Sequence, residues 1–173
     1  LLPVDHIFVN KLSYTGFFGI GKSTPERGEI VVFSFPNEPT KDYIKRVIGV
    51  AGDKIEIQGG QLILNGRVIS RKGSEEGVFD EELGDHKYSV VWKDQQNSGL
   101  DSKAASMSAV VVPDGKLFVL GDHRLKGQDS RGWGFIDTKA VKGRASLIWF
   151  SGASSGESAL FGIRWSRVFA IIK

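Results

Sequence analysis

Two adjacent cations inside an apolar run, Lys45 and Arg46, have the residue types to do chemistry. They lie in Tyr43-Ile44-Lys45-Arg46-Val47-Ile48, rich in β-branched and aromatic residues. Alternation along a strand puts Tyr43, Lys45 and Val47 on one face and Ile44, Arg46 and Ile48 on the other. Any face that the strand buries desolvates one cation. Desolvation lowers a lysine's pKa, and a neutral amine can serve as a general base. The alternative is that both side chains snorkel from an edge strand with their charges in water.

A second group comes after the strand-like run Lys116–Leu120. In Gly121-Asp122-His123-Arg124-Leu125-Lys126-Gly127-Gln128-Asp129-Ser130-Arg131-Gly132-Trp133-Gly134, the acid–base pairs Asp122/Arg124 and Asp129/Arg131 sit among four glycines. One reading is a salt-bridged turn. The other is a rigid support for a catalytic group on a neighbouring strand. The two readings are compatible. His123 stands beside an Asp, but adjacency in sequence does not make a Ser-His-Asp triad. Gly16-Phe17-Phe18-Gly19-Ile20-Gly21-Lys22-Ser23 satisfies the pattern of a phosphate-binding loop. Such a loop needs a helix directly after it. Pro25, Gly28 and a strand from Glu29 come next instead, so it reads as a glycine-rich connection.

The elements that must hold these groups are short strands. Ile7–Val9, Glu29–Phe35, Tyr88–Trp92, Ala109–Val112, Lys116–Leu120, Ala145–Phe150 and Arg164–Ile172 carry the strand signature. Lys54–Gln58, Gln61–Leu64 and Arg67–Ile69 form a meander through Gly59-Gly60 and Asn65-Gly66, dipeptides suited to two-residue hairpins. Asp137–Val141 alone looks helical, for about a turn. Ser74–His86 reads as an acidic loop, Asp94–Ser108 as a polar loop and Ser151–Gly156 as a flexible linker. The expected fold is all-β and mostly antiparallel.

Composition narrows the function. The chain has 173 residues and 22 glycines, a content that argues against long helices. With no cysteine, it has no disulfide, zinc ribbon, iron–sulfur cluster or thiol nucleophile. His6, His86 and His123 lie far apart, so no metal or other cofactor is implied. A net charge of +3 is an ordinary balance, with no nucleic-acid partner expected. No apolar run approaches the roughly 18 residues that span a bilayer. The chain opens on Leu1-Leu2-Pro3, not on methionine, so a preceding segment is expected.

Tyr43–Asp53 resembles the lysine box of the bacterial type I signal peptidases (leader peptidases). Arg27–Phe33 resembles the strand box before it, and Gly121–Gly134 the family's glycine–aspartate–arginine box. Asp5–Lys11 is similar to the segment just after the serine box. Ile163–Arg167 is similar to the C-terminal end of Gram-negative members. The resemblance implies a serine endopeptidase of the Ser/Lys dyad type that removes signal peptides from exported preproteins. It implies a catalytic β core over 1–53 and 114–173, with a second β domain inserted over 54–113.

Lys45 is then the general base, supported by Arg46, Asp122, Arg124, Asp129 and Arg131. Leu1, Ile7, Val32, Asp42, Tyr43 and Ile44 line the substrate cleft, where the substrate adds a strand to an exposed edge. The nucleophilic serine falls before Leu1, so the 173 residues by themselves are expected to be inactive. Gly127 stands where many members have serine, His123 where asparagine is usual and Val4 where glycine is usual. The implied setting is the bacterial inner membrane, with the catalytic domain on the periplasmic or outer side. The implied partners are signal peptides and, through an upstream anchor, the lipid surface. Rival readings are a self-cleaving repressor-type Ser/Lys protease and a non-catalytic β module that binds signal-peptide ends or a protein partner.

Overall fold

The computed structural model describes residues 5–15, 24–73, 77–92, 106–125, 128–152 and 163–172. Its strands are β1 (Asp5–Asn10), β2 (Ile30–Phe35), β3 (Glu38–Gly49), β4 (Lys54–Gln58), β5 (Gln61–Leu64), β6 (Arg67–Val68) and β7 (Arg71–Gly73), then β8 (Val78–Leu83), β9 (His86–Val91), β10 (Met107–Val111), β11 (Lys116–Leu120), β12 (Ile136–Asp137), β13 (Val141–Ser151) and β14 (Ala170–Ile171). Among the described residues two single-turn helices accompany them, α1 (Leu12–Thr15) and α2 (Ser130–Trp133), with 3-10 turns at Thr138–Ala140 and Trp165–Arg167. The fold is all-β, and its paired strands run antiparallel.

The strands from Lys54 to Val111 form two small sheets, ordered β10-β4-β5-β6 and β7-β8-β9. The remaining strands form a seven-stranded sheet, β1-β13-β2-β3-β11-β12, with β14 also on β13. The meander turns are built as their residues dictate. Asn65 and Gly66 have φ of 53° and 77°, and Gly59 and Gly60 of 52° and 80°, the paired positive values that a tight twisted hairpin requires.

Each face of β3 helps to build a core. Ile48 on one face packs with Phe118 and Leu120 of β11 against Ile55, Leu62, Leu83, Tyr88 and Val90 of the small sheets. Val47 on the other packs with Val31, Phe33, Leu117, Val119 and Ile136, with Tyr43 and Trp133 at the margin. The first core crosses from the large sheet to the small ones, so packing fixes them against each other.

Several segments depart from expectation. In Ser74–His86, the described residues form β8 and the start of β9, not a loop. Acidic residues hide an alternation in which Glu81 and Leu83 turn inward while Asp80 and Glu82 face water. The closing segment is a 3-10 turn and a two-residue strand, where a longer strand was expected. β3 starts at Glu38 and not at Tyr43. Residues 16–23, most of the polar stretch before Met107 and residues 153–156 lie outside the described residues.

Candidate functional site

β3 pairs with β2 from Asp42 to Arg46: Ile30 faces Arg46, Val31 faces Lys45, Val32 faces Ile44 and Phe33 faces Tyr43. On its other side it meets β11 only from Arg46 onward, through Leu120–Arg46, Val119–Val47 and Phe118–Gly49. Among the described residues no strand flanks Asp42 to Lys45 on that side. Among the described residues, Lys45 therefore stands where β3 passes from an unpaired edge into the interior.

The Lys45 side chain is half-buried. Burial pushes its pKa down; the Asp129 carboxylate works against this, Arg131 with it and Asp122 against it. Its ammonium lies 5.9 Å from the centroid of the Tyr43 ring. Among the described residues, nothing hydrogen-bonds or ion-pairs with it. Burial that outweighs the two carboxylates, with no hydrogen-bonded partner among the described residues, favours the neutral amine.

Arg46 is treated differently. Only 3% exposed, its guanidinium donates to both Asp122 carboxylate oxygens at 2.9 Å and to the Gly28 carbonyl at 2.7 Å. It also stacks 3.9 Å from the Tyr88 ring centroid. Gly28 supplies that carbonyl from a φ of 89°. A Cβ there would collide with the His86 side chain, so no other residue fits without displacing it.

The loop after β11 is tied down at several points. The Asp129 carboxylate caps α2, accepting from the Arg131 backbone N–H, from the Arg131 guanidinium at 2.7 and 2.8 Å and from the Gly121 N–H at 3.1 Å. The Ser130 hydroxyl oxygen accepts from the Val119 N–H. The Val91 N–H donates to the Asp122 carbonyl, and the Arg124 N–H to the Val91 carbonyl, so His123 forms a parallel bridge with Val91. The sequence pairing of Asp122 with Arg124 is not made. With its backbone held against β9, the loop sends Asp122 to Arg46 on β3. It sends Arg124 to Glu81 on β8, at 2.9 and 2.5 Å.

The expected cleft residues are only partly together. Val32, Asp42 and Ile44 share one face of the β2–β3 hairpin: Val32 is buried, Ile44 is 37% exposed, and Asp42 pairs with Lys142 at 2.6 Å. Tyr43 is on the Lys45 face, its hydroxyl donating to Gln128 at 3.4 Å. Ile7 stands on β1, with β13 between it and β2. Leu1 and Gly127 lie outside the described residues. A separate cleft of about 780 Å³, between Pro25–Arg27 and Leu83–His86, includes none of these residues.

Sequence reasoning missed Glu81, Ser130 and the Gly28 carbonyl. Glu81 alone left a signal: it stands midway between Phe79 and Leu83, where an inward face of a strand would put an apolar residue.

The family model described as "Signal peptidase, peptidase S26" matches residues 1–150. A curated signal peptidase I of Rickettsia canadensis is 35% identical, the match covering 87% of this chain and 67% of that protein. One of Rickettsia typhi is 33% identical with the same coverage. A crystal structure of a signal peptidase I from Enterococcus faecalis has 26% identity and a TM-score of 0.47, over 72% of this chain and 98% of that one.

Proposed function

From the premise that the chain belongs to the signal peptidase family of S26 peptidases, we propose that Lys45 is the general base of its peptide-bond hydrolysis. The family's members are serine endopeptidases that remove signal peptides from exported preproteins. A lysine with this environment, at the end of an open strand edge, is the observation that carries the reading.

The preprotein docks as an added strand along Asp42 to Lys45, its backbone pairing with the free side of β3. That places the peptide bond to be cut beside the amine. A serine hydroxyl, from a segment before Leu1, attacks the carbonyl while neutral Lys45 takes its proton. The resulting ammonium then gives that proton to the leaving amine. Water deacylates the serine with Lys45 again as base. On this reading the 173 residues alone do not cleave. Asp122, Asp129 and Arg131 hold the lysine's surroundings and take no proton.

The partner surface includes a lipid face. Phe8, Trp149, Trp165, Phe169 and Ile171 are between 51% and 73% exposed, and Leu147 of β13 pairs with both Phe8 of β1 and Ile171 of β14. The two tryptophans, apolar with a polar N–H, suit the membrane–water interface, and Phe8, Phe169 and Ile171 add exposed apolar surface beside them. Among the described residues no helix is long and apolar enough to cross a membrane.

The test is the pH–rate profile of the complete enzyme on a preprotein. Activity should rise with pH through an ionisation well below that of a free lysine, near 10.4. A limb at pH ~10, or none, would overturn the assignment.

A further inference from the structure

The stretch from Gly121 to Gly134 carries the carboxylates nearest in effect to Lys45, yet four of its fourteen residues are glycine. Something must hold it. One anchor is Arg46, on the strand of the base itself. Another comes from outside the large sheet.

Glu81 of β8 and Arg124 each expose only 1% of their side chains. They meet fork to fork, Nη1 to Oε1 at 2.9 Å and Nη2 to Oε2 at 2.5 Å. The remaining donor, Arg124 Nε, reaches the Gly121 carbonyl at 3.2 Å. The N–H of the same Gly121 donates to Asp129 Oδ2. A continuous path thus runs from Glu81 through Arg124 and Gly121 to Asp129, one of the charges felt by Lys45. The same stretch is stitched to β9 through Val91 on either side of His123.

We propose that Glu81 is a positioning residue for the reaction: through Arg124 it makes the β7-β8-β9 sheet the outer support of the loop beside Lys45. This rests on the reading of Lys45 as base. A buried ion pair is weak evidence for stability, since well-packed apolar residues often replace one at no loss. Its geometric specificity is what apolar replacements cannot copy. The groups that face Lys45 are Asp122, Asp129 and Arg131 from the loop and Tyr43 on its own strand. If the loop loosens, water reaches the amine and its main source of depression weakens.

The test compares three variants of the complete enzyme, cleaving a preprotein: Glu81→Gln, the paired replacement Glu81→Met with Arg124→Leu, and Lys45→Met. The paired replacement should keep its melting temperature but lose about ten- to a hundred-fold in kcat, with KM little changed, the scale of a small misplacement of reacting groups. In Glu81→Gln the acid limb of the pH–rate profile should move upward. Wild-type kcat and an unmoved limb in variants that melt normally would overturn the proposal. So would a paired variant that fails to fold, since the pair would then serve stability alone. Lys45→Met separates the two readings. If it stays active, the base assignment fails. If it is inactive while the Glu81 variants are normal, only the role of Glu81 fails.

Discussion

Lys45 and Arg46 are neighbours on one strand, and the two faces of β3 treat them oppositely. Arg46 is the more deeply buried, and its charge is met by Asp122, by the Gly28 carbonyl and by the Tyr88 ring. Lys45 is half-buried, and no described group hydrogen-bonds to it. A guanidinium cannot deprotonate in a protein, so burying it demands partners. An ammonium can, so burial without partners shifts its titration instead. A buried cation with a full set of acceptors is structural; one beside a free edge without them is a candidate base.

Lys45→Met breaks the comparison at its reactive end and has the largest expected effect. Cleavage by the complete enzyme should fall by about 10²- to 10⁴-fold, the usual worth of a general base. The melting temperature should not fall, because the replacement removes a desolvated amine and keeps its length. Arg46→Met breaks the structural end. It strands the Asp122 carboxylate, itself 25% exposed, and removes the brace on Gly28. Urea unfolding should show a loss of about 2–3 kcal/mol, at or below the low end for broken buried pairs because Asp122 keeps some solvent. Activity should fall less than in Lys45→Met. Equal losses of activity in the two variants would erase the distinction between the faces.

The smallest effect sharpens the comparison. Lys45 has a folded pKa below its unfolded one, so between those values the unfolded chain binds more protons. Stability then rises with pH through that window, up to about pH 10.4, and the penalty is fully present below the folded pKa. Urea melts across this range should show wild type gaining on Lys45→Met as pH rises. A constant difference would mean that the amine is solvated.

Much of this was legible in the sequence, for local reasons. The hairpins at Gly59-Gly60 and Asn65-Gly66 arise from dipeptides that accept positive φ. The facing of Lys45 and Arg46 comes from a period of two. The features that stayed hidden depend on distant partners. Glu81 lies in an acidic run whose composition suggests solvent, and only Arg124 arriving from another sheet makes it a buried strand residue. For the same reason Asp122 and Arg124, two apart in sequence, take partners elsewhere. α2 escaped because one turn has no periodicity to read, and its cap, Asp129, looked like half of a salt bridge. It is that as well.

Just past the two-residue turn between β2 and β3 the ladder is irregular: Ser34 pairs with Asp42, but Phe35 pairs with Glu38, so Pro39, Thr40 and Lys41 bulge from it. The bulge, its proline and the Glu38–Lys41 ion pair lie directly before the open stretch of β3. An uncovered strand edge invites any extended chain, including a sister molecule, and proline, charge and a bulge are common devices that blunt it. Among the described residues they confine the unpaired ladder to a few residues ending at Lys45. If a preprotein docks there as proposed, such an edge would read peptide groups, which every sequence possesses, so a single short strip would admit many unrelated polypeptides.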